Sequence, residues 1–178
     1  MEEKPKSSTS NALIYGLITG VVMTVYSLIL YLFNLHLNKY LGYISFLILI
    51  AGMAYGTIQF RNKVMNGFIS YGKAYSSGFM IALFAGILGA IYSFIFYKFI
   101  APDVVREILD MARQNIMARG PEMTDEQIEQ AMNMTSKFMT PPLMSIFFLL
   151  YCLIIGAIGG LITSAFIKKE DKSASPIV

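Results

Sequence analysis

Four runs of apolar residues, each longer than the buried face of an ordinary globular helix, mark out the chain. The last is the clearest: residues 143–167 hold no charge and Lys168, Lys169 and Lys172 follow at once. About 25 helical residues are enough to cross a hydrocarbon core of roughly 30 Å. The first run begins after Ser10 and Asn11, either of which is suited to cap a helix, and extends to Phe33 or Leu35. A second covers residues 41–60 and stops at Arg61, Asn62 and Lys63. A third covers residues 75–100, uncharged from Gly78 to Phe96, with Lys98 near its far end where a long side chain can snorkel to the interface. The pattern predicts an all-α integral membrane protein of four transmembrane helices.

Between the third and fourth runs, residues 101–140 change period. Pro102 and Asp103 suit a helix start, and Val104, Val105, Ile108, Leu109, Ala112 and Ile116 then recur at three- and four-residue spacing opposite Arg106, Glu107, Asp110, Arg113 and Gln114. Gly120 and Pro121 end that helix. Thr124 with Gln127 makes a capping box, and Ile128, Ala131, Thr135 and Phe138 draw a mostly apolar stripe along a second short helix before Pro141 and Pro142. The expectation is an amphipathic helical hairpin, lying against the bilayer surface or over the mouth of the bundle. Val105, Ile108, Leu109, Ile116, Ile128 and Phe138 are its candidate partner-binding surface.

Charge sets the direction of the spans. Lys4 and Lys6, then Arg61, Lys63 and Lys73, then Lys168, Lys169 and Lys172 fall on one side if the four runs cross in turn, and short basic flanks stay in the cytoplasm. The connection across residues 101–140 carries four basic and seven acidic residues, a net charge of −3. Both termini are therefore expected inside and the hairpin outside. Residues 1–10 and 170–178 read as disordered cytoplasmic tails around a membrane domain of residues 11–169. The first run exceeds a signal-peptide core and has no small-residue cleavage site, so it should be retained.

Small residues supply the packing signal. Gly16 with Gly20, Gly52 with Gly56, and Gly156 with Gly160 are small-xxx-small pairs in three different spans, and Gly86 and Gly89 add to the third run. Missing side chains at that spacing let backbones approach closely.

Composition agrees with this reading: 178 residues, 56% hydrophobic and 14% charged, with a mean hydropathy of +0.59. The formal charge of +3 comes from residues beside apolar spans rather than from one stripe, which points to membrane lipids as partners and away from nucleic acid. Chemistry is sparse. The runs hold no Asp or Glu, the usual membrane proton carriers. Cys152 is the sole cysteine, excluding an intramolecular disulfide. His36 is the sole histidine and has no ligand pattern around it. Glu122, Asp125, Glu126 and Glu129 lack calcium-loop spacing, and no phosphate-binding glycine loop is present. No catalytic residue, metal or cofactor is expected.

Four segments, ALIYGLITG (12–20), FISYGKAYSSG (68–78), MTDEQIEQ (123–130) and GLITSAFIKK (160–169), together resemble a bacterial four-span membrane family, domain of unknown function 4199. The resemblance spans residues 11–169. It implies an inner-membrane location and assigns no activity. The functional expectation is a non-enzymatic membrane component engaging an unidentified envelope protein or forming a homo-oligomer, with a small transporter, channel or lipid-binding protein as the alternative.

Overall fold

A computed structural model describes residues 8–120 and 123–169. The elements in order are α1 (Ser8–Leu32), α2 (Lys39–Lys63), α3 (Tyr71–Ile95) with a π-helical continuation (Phe96–Ile100), α4 (Asp103–Arg119), α5 (Asp125–Phe138) and α6 (Pro141–Ile167). The protein is all-α, with four helices long and apolar enough to cross a membrane and a pair of shorter helices between the third and fourth. The helices extend beyond the apolar runs at their starts, while α1 stops at Leu32, short of the expected Phe33 or Leu35, ahead of Asn34 at φ 55°. The added turns hold polar residues such as Lys39, Lys63 and Lys73, whose backbones continue the ladder while their side chains stay exposed.

The start of α1 corrects one expectation. Neither Ser10 nor Asn11 caps it, because the helix already begins at Ser8. Asn11 is 4% exposed, and its side-chain amide donates to the Gly56 carbonyl at 3.1 Å. A cap preference is local, whereas this amide finds a carbonyl 45 residues away. The α2 start does obey the local rule: the Asn38 side chain accepts from the amides of Tyr40 and Leu41.

The chain divides into two units, residues 8–89 with 149–169, and residues 90–148. In the first, the register can be read from side chains that meet. Going up α1, a Cβ on Gly16 would lie 2.6 Å from Phe84 Cβ and 2.9 Å from the Ile81 carbonyl, and one on Gly20 would lie 2.9 Å from Leu88, so α1 and α3 run parallel. Asn11 reaches Gly56, and the Tyr26 hydroxyl donates to the Leu41 carbonyl at 2.9 Å, so α2 runs the other way. A Cβ on Gly156 would press on Ala82, one on Gly160 on Tyr75, and one on Gly86 on Cys152, so α6 descends against α3. Gly159 faces Ile50, which sets α6 beside α2. Helix α3 thus touches α1, α2 and α6, with Ala74, Ile81, Ala82 and Ala85 wholly buried along it. Alanines and glycines at these crossings let backbones approach where larger residues would hold them apart.

In the second unit the amide of Ala101 donates to the Phe96 carbonyl at 2.8 Å, the five-residue step that closes the π turn. Lys98 lies within that turn with its Nζ 5.1 Å from the Phe94 ring centre and 5.3 Å from that of Phe99. Its charge therefore rests against two aromatic faces as well as reaching outward. Helices α4 and α5 pack on each other as a hairpin. The α5 start carries the full capping box, with the Thr124 side chain accepting from the Gln127 amide and the Gln127 side chain from the Thr124 amide. Gly120 caps α4 through its amide to the Ile116 carbonyl.

Candidate functional site

The first unit gathers all its described lysines and arginines except Lys39 at one end. After α2, Asn66 and Gly67 both take left-handed backbone conformations, φ 49° and 87°, which Asn tolerates and Gly adopts freely. The turn is tied by Gly67 donating to the Arg61 carbonyl at 2.8 Å. It brings Ile69 antiparallel to Lys169, and the two exchange backbone hydrogen bonds of 2.8 and 2.9 Å. Beneath this clip Phe60, Ile69, Ala74 and Ile167 form a buried apolar cluster. Arg61 Nη1 donates to the Ile167 carbonyl at 3.1 Å, satisfying a carbonyl of the α6 C-terminus that has no intrahelical partner. Lys169 Nζ sits 5.6 Å from the centre of the Phe68 ring.

Arg61, Lys63, Lys73, Lys168 and Lys169, read from the sequence as setting topology, are thus brought together. Lys4, Lys6 and Lys172, and most of the two tails, lie outside the described residues. Among the described residues of this unit, 8–89 and 149–169, there is no Asp or Glu, and Glu170 and Asp171 follow Lys169 in the sequence. A desolvated carboxylate is costly in the spans, while lysine and arginine at their ends are not.

Several polar groups inside the spans serve the backbone, whereas the buried Ser77 and Ser164 hydroxyls have no hydrogen-bond partner among the described residues. Thr19 Oγ1 donates to the Tyr15 carbonyl at 2.7 Å, Thr163 Oγ1 to Gly159 at 2.8 Å, and the Tyr71 hydroxyl to Leu161 at 3.1 Å. Cys152 is fully buried, and the His36 ring stands 5.6 Å from that of Tyr31. Among the described residues, no group of three or more His, Cys, Asp or Glu is placed to hold a metal ion.

Residues 14–169 match the family model described as "Protein of unknown function (DUF4199)". The chain belongs to this family. No curated protein and no solved structure matches it. That this DUF4199 protein is a multi-pass membrane protein follows from the surface of its long helices. Leu17, Ile18, Val21 and Val25 on α1, and Ile154, Ile158 and Leu161 on α6, are all exposed. In water such apolar faces would drive association, but against acyl chains they cost nothing.

The six hairpin residues expected to form a partner surface are separated by the DUF4199 fold. Ile128 is 7% exposed and committed to the interior. Val105, Ile108, Leu109 and Ile116 are half-buried. Phe138, at the end of the stripe that Ile128, Ala131 and Thr135 share, is exposed, and its ring stands 6.3 Å from that of Phe147. Met117 and Met134, which sequence reasoning did not assign to that surface, are also exposed. The clip between Ile69 and Lys169 has no local signature either, since its two halves are 100 residues apart in the chain.

Proposed function

We propose that this protein is a non-enzymatic component of a bacterial inner membrane that engages another envelope protein or a second copy of itself. The observation that carries the reading is the apolar exposure of the hairpin. Met134 is 67% exposed and Phe138 51%, on a helix whose other faces carry Asp125, Glu126, Glu129 and Lys137. Flexible Met and rigid aromatic side chains within a charged rim suit recognition of a protein surface. The non-enzymatic reading is supported by the span hydroxyls of Thr19, Thr163 and Tyr71, which are turned onto backbone carbonyls.

The basic end formed by Arg61, Lys63, Lys73, Lys168 and Lys169 supports an orientation with both termini in the cytoplasm and the hairpin outside. The test is the intact native mass of the protein, extracted from its own membrane in lipid-preserving discs. A reproducible second polypeptide or a homo-oligomer, lost on Met134→Ser with Phe138→Ser, is the expected result. A bare monomer from both wild type and variant would overturn the proposal.

A further inference from the structure

The close packing that joins α1 to α2 leaves one groove unfilled on their shared face. It encloses about 300 Å³ and is lined by Tyr15, Thr19 and Val22 of α1 and by Ile48, Gly52 and Tyr55 of α2. That volume is at the lower end of those that hold small ligands, roughly 300–1,000 Å³. Its walls are apolar, and the Thr19 hydroxyl is already bonded to its own helix. The Tyr15 and Tyr55 rings meet edge to face, centres 5.7 Å apart.

The groove's own lining ends at Tyr15 and Tyr55, and beyond it the two helix faces change character toward the basic end. Along α2, Ile48, Gly52, Tyr55, Gln59 and Asn62 recur at alternating four- and three-residue steps, one stripe on one helix face, with Lys63 beside its end. Along the antiparallel α1 the same line passes from Val22 through Thr19 and Tyr15 to Asn11 and Ser8. Just past the groove, Asn11 is buried with its amide on the Gly56 carbonyl, and polar residues follow on both stripes. From Ile48 to Lys63 the helix rises about 22 Å, which is half of a bilayer about 40–45 Å thick with its headgroups. Arg61, Lys63, Lys73, Lys168 and Lys169 stand at that end against Glu170 and Asp171, the carboxylates that follow Lys169 in the sequence, so its balance is positive.

We propose that this groove binds an anionic phospholipid of the adjoining leaflet, one acyl chain lying between Tyr15 and Ile48 and the phosphate at the Lys63 end. Charge complementarity selects the headgroup, and the length of the stripe matches one leaflet. The site is independent of the hairpin and of any protein partner.

The experiment is native mass spectrometry of the full chain in mild detergent, titrated with phosphatidylglycerol or with phosphatidylcholine of the same acyl chains. One lysine at a membrane surface is worth about a fivefold preference, so the first phosphatidylglycerol should bind about fivefold or more tighter than the first phosphatidylcholine. Lys63→Gln should erase that preference, while Lys39→Gln, at the other end of α2, should preserve it. Ala51→Phe, filling the groove from an exposed position, should remove the tight first lipid of either headgroup at an unchanged melting temperature. If that variant proves unstable, Ile48→Phe reads the same question. Equal affinity for the two lipids, or a folded groove-filled variant that binds as the wild type does, would overturn the assignment.

Discussion

Gly16 cannot readily accept a side chain, because its missing Cβ faces the Ile81 carbonyl and the Phe84 Cβ, neither of which can swing aside. At Gly160 the nearest atoms belong to the Tyr75 ring at 3.2 Å, and a ring can tilt. We expect Gly16→Ala to lower stability by about 1–3 kcal/mol, the usual cost of overpacking, and Gly160→Ala by clearly less. Thermal unfolding in one detergent ranks the two, and equal melting temperatures would refute a backbone contact at Gly16. The paired spacing of glycines was legible in the sequence. Which helix each pair meets was not, since Gly16, Gly56 and Gly156 all turn toward α3 from different sides. Asn11 shows the same limit: its type suits a cap, and only the neighbouring α2 carbonyl turns it into a crosslink between helices.

At the scale of elements, α5 is the case in which local chemistry suffices. Its start is held by two reciprocal bonds between Thr124 and Gln127, and its burial is slight apart from Ile128. Thr124→Ala should cost about 1 kcal/mol and raise hydrogen exchange at the first turn of α5, with α1 unaffected. Unchanged exchange there would mean that tertiary contacts, rather than the cap, hold the turn. The boundaries of the spanning helices were less legible. Hydropathy stops at the first charge, but the backbone ladder does not, so α2 continues to Lys63 and α3 begins at Tyr71. The π turn at Phe96–Ile100 leaves no compositional mark in a run that is apolar throughout.

For the whole molecule, the prediction is topological. A periplasm-active reporter inserted near Ser136 should be functional, and a cysteine placed at Lys63 in a Cys152→Ala background should resist impermeant thiol reagents applied from outside. A reporter near Ser136 that is active only in the cytoplasm would reverse the orientation. The candidate sites were unevenly readable. The basic residues announced one side of a membrane, but their gathering depends on the Ile69–Lys169 clip and on Arg61 reaching Ile167. The α1–α2 groove could not be read at all, because a groove is the space that packing leaves over.

By itself the sequence determined four spanning helices, the capped hairpin between the last two, and the small residues on which close packing rests. Each is a property of run length, period or a contact within four residues, and such properties survive in any arrangement of the chain. Only the tertiary structure decided that α3 touches α1, α2 and α6, that Asn11 crosses to α2, and that a groove is left between α1 and α2. Apolar faces are chemically alike, so hydropathy cannot choose among partners. The choice is made by shape, through the few places where a missing Cβ lets two backbones meet.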